Sequence, residues 1–147
     1  MRYFEDFVVG ESERVGEYRL TEEEIISYGE KWDPQFFHVD AKAAKSAVFS
    51  GLVAPGTQLI SISVLKLVTH QPKVSILAAL GWDEVRFHGP ARPNDILTVF
   101  RECLEARPSN SKLDRGIVKN RITLYKNKNQ LLLSYVDSIL VSKRPSV

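Results

Sequence analysis

The hydrophobic pattern changes period once, at Gln71-Pro72, and that change limits the fold more than any other feature. Before it, Leu59, Ile60, Ile62, Val64, Leu65, Leu67 and Val68 place apolar groups on most sides of a helix, with Ser61 and Ser63 between them. A helix apolar nearly all round is a buried helix. Pro55 suits its first position, where a missing N–H costs no intrahelical bond. Beyond Pro72 the chain reads as strands. Lys73 to Leu80 is a β-rich apolar run. Trp82 to His88 alternates, with Asp83, Val85 and Phe87 on one side and Trp82, Glu84, Arg86 and His88 on the other. Ile96 to Leu104 and Ile117 to Tyr125 follow, then a turn at Lys126 to Asn129 and a last strand from Gln130 to Val141. Glu11 to Leu20 supplies one more candidate strand. An antiparallel sheet solvated on one face must cover the other, and the apolar helix is the only filler. The predicted class is α+β: an antiparallel sheet wrapped around a central helix.

Upstream of that helix the chain is mixed. Thr21-Glu22-Glu23-Glu24 is a capping box, predicting a helix from Glu22 to about Lys31. Asp33-Pro34 ends it, because a residue before proline is pushed out of the α region. Asp40 is placed to cap a second helix from Ala41 to Val48. At 147 residues, with 44% hydrophobic and 26% charged residues, the chain predicts one folded domain over residues 1–147 rather than disorder.

Several functions are excluded as expectations. Twenty basic against eighteen acidic side chains leave a net charge of +2, which makes no case for nucleic acid. Leu59 to Val68 is too short and too interrupted to cross a membrane. The first residues carry acids where a secretory signal would be apolar, and one cysteine cannot form an internal disulfide, so a cytoplasmic location is expected. Cys103 falls inside a strand and reads as a small buried hydrophobe. His38, His70 and His88 lack zinc-ligand spacing, so no metal is expected, and no phosphate loop or nucleophile elbow occurs.

The stretch Trp32-Asp33-Pro34-Gln35-Phe36-Phe37-His38-Val39-Asp40 places an acid and a histidine five residues apart. On a helix they would stand about 140° apart, and on a strand they would face opposite ways. Asp33 and His38 therefore meet only on an irregular segment, which Pro34 supplies. Such a pair suits proton transfer near neutrality. Equally, Asp33 fits a turn before Pro34, and His38 fits a packed histidine beside Phe36 and Phe37. Gly56 adds a second component: the Gly56 and Thr57 N–H groups fall in the first turn of the apolar helix, without intrahelical acceptors and at the positive end of its dipole. They can hold a developing enolate oxygen, or simply begin a helix.

These residues resemble a known family. Asp33 to Asp40, then Ala43-Ala44, Ser46 and Phe49-Ser50-Gly51-Leu52-Val53-Ala54-Pro55-Gly56, are similar to the MaoC-like acyl dehydratases, also called the (R)-specific enoyl-CoA hydratase or hydratase 2 group. The family pattern has an Asp and a His five apart and a glycine eighteen residues beyond the His, as from His38 to Gly56 here. Phe4 to Glu11, Asp83-Glu84-Val85-Arg86-Phe87 and Pro90 to Asp95 extend the resemblance over nearly the whole chain. It departs where Gln35 and Phe36 replace an Asn-Pro pair, where Pro55 stands for a frequent His, and where Asn94 replaces a common Gly. Those changes bear on acyl-chain shape, since Gln35, Phe36 and Phe37 would flank the pocket.

The resemblance implies a hotdog fold and a homodimer or assembly of dimers, with an acyl-CoA or acyl-carrier thioester bound near the dimer interface. It implies Asp33 and His38 as catalytic dyad, the Gly56 N–H as oxyanion donor, Gln35 and Phe37 beside the substrate, and no cofactor. The reaction implied is hydration of a 2-enoyl thioester to a 3-hydroxyacyl thioester, or the reverse. A hotdog thioesterase would share the fold but attack C1 and release free thiol. A non-catalytic acyl-thioester-binding module would need no acid–base pair. The run Leu131-Leu132-Leu133 adds a local argument for assembly, since strict alternation would turn at least one of the three outward.

Overall fold

The structure, a computed structural model, describes residues 1–146. Its elements are β1 (Ser12–Arg19), α1 (Glu22–Trp32), α2 (Phe36–Val39), α3 (Gly56–Thr69), β2 (Ile76–Phe87), β3 (Ile96–Pro108), β4 (Arg115–Lys126) and β5 (Gln130–Ser142), with 3-10 turns at Phe4–Asp6 and Ala43–Ser46. The strands form one antiparallel sheet in the order β1-β3-β4-β5-β2. Hairpins join β3 to β4 and β4 to β5, the latter through left-handed Asn127 and Lys128. The sheet curls around α3. Leu59 and Ile62 of the helix meet Leu97, Val99, Ile122, Leu124, Leu133 and Tyr135 from the concave face. Ser63 and the Tyr135 hydroxyl, both buried, share a 2.7 Å hydrogen bond that satisfies the two polar atoms this contact takes from water. This is the α+β hotdog arrangement expected from the sequence.

Capping chemistry sets the helix starts. The Thr21 hydroxyl accepts from the Glu24 N–H at 3.2 Å, and the Thr21 N–H donates to the Glu24 carboxylate at 3.2 Å. Asp40 Oδ1 accepts from the N–H groups of Lys42 and Ala43, but the helix expected over Ala41 to Val48 is only the 3-10 turn Ala43–Ser46. The short helix α2, which carries His38, lies just before it and has no side-chain cap to announce it. Pro55 is the N-cap of α3 rather than its first residue, and its carbonyl takes the N–H of Gln58 at 3.0 Å.

Three further expectations are corrected. First, α3 is not enclosed: Gln58, Leu59, Ile62 and Ser63 are buried, while Leu65 and Val68 are 45% and 48% exposed. One curled sheet covers one side of a helix and leaves the other. Second, Lys73 to Leu80 and Trp82 to His88 are not separate strands. They merge into β2, and its alternation breaks where Asp83 pairs with Val136 but Arg86 with Ser134. Two residues then oppose one, with Glu84 at a φ of 54°. Third, Leu131 to Leu133 form no outward row. Leu124 pairs with Leu133 and Tyr125 with Leu131, so Leu132 is an inserted residue, and both Leu132 and Leu133 enter the core. Among the strands, the exposed large apolar side chains lie instead on β2: Ile76, Leu77, Leu80, Trp82 and Phe87.

Candidate active site

The helix α1 ends where Pro34 requires. The Asp33 N–H makes its last bond, to the Gly29 carbonyl at 2.9 Å, and Asp33 leaves the helical region at φ −155°. The Gln35 N–H donates to the Asp33 carbonyl at 2.8 Å, folding the chain tightly before α2 begins. That fold reconciles a spacing that neither helix nor strand could. Asp33 Oδ2 comes to 3.4 Å from His38 Nε2. The other carboxylate oxygen, Oδ1, accepts from the Gln35 side-chain amide at 2.8 Å.

His38 is buried, 6% exposed, and held from its far side. Its Nδ1 lies 2.6 Å from the Val53 carbonyl oxygen. A carbonyl only accepts, so Nδ1 carries the proton and donates. Nε2 is therefore the nitrogen free to gain or lose a proton, and it faces Asp33. The Val53 N–H in turn donates to the Phe37 carbonyl at 3.1 Å, tying the loop before α3 to α2. The Phe37 ring stands edge-on to the imidazole with centroids 4.5 Å apart. α1 presses on α2 from behind: a Cβ on Gly29 would lie 3.0 Å from the His38 carbonyl oxygen.

Asp33, Gln35, Phe37, His38 and Gly56 all line one cavity of about 430 Å³. Gly56 is the first residue of α3. Because the helix's first carbonyl serves Gln58 and Leu59, the N–H groups of Gly56 and Thr57 stand outside the helical ladder. An acid, an imidazole and a helix N-terminus thus border one space, an arrangement able to move a proton and stabilise a developing oxyanion.

Two participants escaped the sequence reading. Val53 contributes a backbone carbonyl, which no residue type signals. Phe87 places its ring on Gly56, so close that a Cβ there would be 2.5 Å from the ring's Cζ. Its place in the Asp83 to Phe87 motif was visible, but its face was not. Cys103, by contrast, lies 3% exposed beneath Phe7 in a second apolar cluster, and burial pushes its thiol pKa up. It has no part in this cavity. Among the described residues no three metal-ligating side chains cluster, and no helix is long and apolar enough to cross a membrane.

The family model described as "MaoC like domain" matches residues 7–125. The uncharacterized protein YdeM of Bacillus subtilis (strain 168) is 26% identical over 141 residues, covering 95% of this chain and 98% of its own. The crystal structure of a MaoC-like dehydratase from Rhodospirillum rubrum superposes with a TM-score of 0.91 at 29% identity, over 99% of this chain and 100% of its own. The unliganded R-hydratase PhaJ1 from Pseudomonas aeruginosa shares the fold, with a TM-score of 0.77 at 19% identity over 97% of this chain and 86% of its own.

Proposed function

This chain belongs to the MaoC-like dehydratase family, and from that premise we propose that it adds water to a trans-2-enoyl thioester, or removes it from the 3-hydroxyacyl thioester. The observation that carries the reading is the 3.4 Å approach of Asp33 Oδ2 to His38 Nε2 in a cavity that also holds the N-terminus of α3. The reaction breaks one O–H bond of water and forms a C–O bond at Cβ. The electron pair of the double bond moves onto the thioester as an enolate, and a proton then arrives at Cα.

Each group has a part in that sequence. The attacking water hydrogen-bonds from the cavity side to both Asp33 Oδ2 and His38 Nε2, and the unprotonated Nε2 takes its proton, because Val53 holds the other ring nitrogen as a donor. Asp33, anchored by Gln35, orients the water and stabilises the imidazolium that forms. The Gly56 N–H, aided by the helix dipole, carries the enolate oxygen. Return of the proton from the dyad to Cα completes the cycle. Phe37 walls the acyl side. No metal or redox group enters these steps. The carrier is coenzyme A or an acyl-carrier protein, since both present the same thioester to the cavity.

We also propose a homodimer. β2 is an edge strand of the sheet, unpaired on its outer side, and it exposes five large apolar side chains. A long apolar edge is a template for another strand, and a second copy of β2 is the occupant that closes it symmetrically.

The test is a panel of straight-chain trans-2-enoyl-CoA thioesters of graded length, followed by loss of the enoyl absorbance, with free thiol measured in parallel. Enoyl loss without thiol release is expected. Thiol release as the main event would replace the hydratase reading with thioester cleavage.

A further inference from the structure

Phe87 occupies a place that a core residue would not. It is 55% exposed and outside both buried clusters, yet its ring lies against the bare Cα of Gly56. The bulge in β2 puts it there. Without the inserted residue, strict alternation would put Phe87 on the same face as Asp83, which pairs with Val136 on the side away from the helix. With it, Phe87 pairs with Leu133, whose side chain is wholly buried on the concave side. Residues directly opposite in an antiparallel pair share a face, so Phe87 is turned toward α3. The backbone there is pinned. The His88 N–H donates to the Leu132 carbonyl at 2.7 Å, and His88 Nε2 lies 2.7 Å from the Ser134 hydroxyl. Only side-chain rotation remains to the ring.

Resting on the thioester reading above, we propose that Phe87 is a specificity-determining residue: its ring narrows the slot beside Gly56 so that enoyl thioesters bearing a substituent at Cα are excluded. A carbonyl oxygen accepting from the Gly56 N–H sits about 2.9 Å from that nitrogen. The acyl Cα is two bonds from the oxygen. The ring and any group on Cα therefore border the same space, and a hydrogen on Cα needs far less of it than a methyl does. Gly56 has a matching structural reason, since any side chain at that position would displace the ring. A single methyl in such a slot changes kcat/KM by about 10–200-fold.

The experiment compares the straight-chain enoyl-CoA that the wild type turns over best with its 2-methyl counterpart, in wild type, Phe87→Leu and Phe87→Ala. The intrinsic reactivity of each thioester cancels when the ratio of kcat/KM values is followed across variants. The ratio is expected to fall at least tenfold in Phe87→Ala and by an intermediate amount in Phe87→Leu, through a gain on the 2-methyl substrate. The pH profile on the straight-chain substrate should keep its shape, which a displaced dyad would not allow. Should Phe87→Ala fail to fold, the Phe87→Leu ratio decides alone. A ratio within twofold of wild type, or one that falls only by loss on the straight-chain substrate, overturns the proposal. A wild type that hydrates no enoyl thioester overturns the underlying reading as well, and is distinguished by the first column of the assay.

Discussion

At the scale of single residues, the site depends on hydrogen bonds that leave each group one role. Val53 fixes the His38 proton on Nδ1, and Gln35 fixes one oxygen of Asp33. Asp33→Asn or His38→Ala should each lower kcat by about 10² or more with the fold intact, and the double variant should lose little beyond the worse single. Wild-type turnover in either single variant would remove the dyad. Gly56→Ala has a sharper reading than its residue type suggests. The new Cβ meets the far end of the Phe87 ring, a side chain outside both buried clusters, so stability should change by less than about 1 kcal/mol while turnover falls. Adding Phe87→Ala separates the causes: recovered turnover assigns the loss to the displaced ring, and unrecovered turnover to the methyl at the oxyanion position. The residue types at the site were open to reading because Pro34 forces a turn wherever it stands. Val53 was not, since every residue carries the same carbonyl.

Elements transmit constraints that residues alone do not show. α1 and α2 touch through Gly29, where a Cβ would meet the His38 carbonyl oxygen at 3.0 Å and the His38 Cβ at 3.1 Å. Alanine there improves helix propensity by about 1 kcal/mol, but overpacking against backbone costs about 1–3 kcal/mol. Gly29→Ala should therefore lower the melting temperature slightly and kcat more, because what gives way is the segment that carries His38. Unchanged kcat with a raised melting temperature would mean that α1 does not position the dyad. The bulges in β2 and β5 belong to this scale too. Strict alternation predicts one face for Asp83 and Phe87 and an outward leucine among Leu131 to Leu133, and one inserted residue in each strand shifts the faces that follow.

For the molecule as a whole, two features reach beyond the site. The apolar edge of β2 should be covered in solution. Sedimentation is expected to give a dimer at micromolar concentration, and Leu80→Asp should yield monomers with reduced turnover, whereas a fully active wild-type monomer would refute the interface. Asp137 adds a pH dependence. Burial, set against a hydrogen bond from Trp82 and the nearby charge of Arg101, raises its pKa from 3.8 to about 6. The folded state then holds the proton more tightly than the unfolded chain. That contribution is complete below about 3.8 and is lost as pH rises through about 6, so stability falls across this window. Asp137→Asn should remove the slope and be more stable at pH 8, by on the order of 1–3 kcal/mol. Glu13 acts oppositely: burial would raise it, but the hydrogen bond and charge of Arg101 hold it below its ordinary value, so its contribution is lost as pH falls below about 4.5. Urea titrations of wild type and Asp137→Asn at several pH values give the difference directly.

The amino-acid sequence by itself determined β1, α1, α3, the run of strands after Pro72 and the residue types of the proposed site. Capping residues, prolines and hydrophobic period act through neighbours a few positions away, so Thr21, Pro34 and the change at Gln71-Pro72 speak for themselves. Only the tertiary structure decided which way Phe87 and Leu132 face, which proton His38 keeps, and which apolar side chains of α3 and β2 stay uncovered. Those outcomes depend on a partner strand, a carbonyl fifteen residues along from His38 and the limited reach of one sheet around one helix, and no local pattern encodes the far side of a contact.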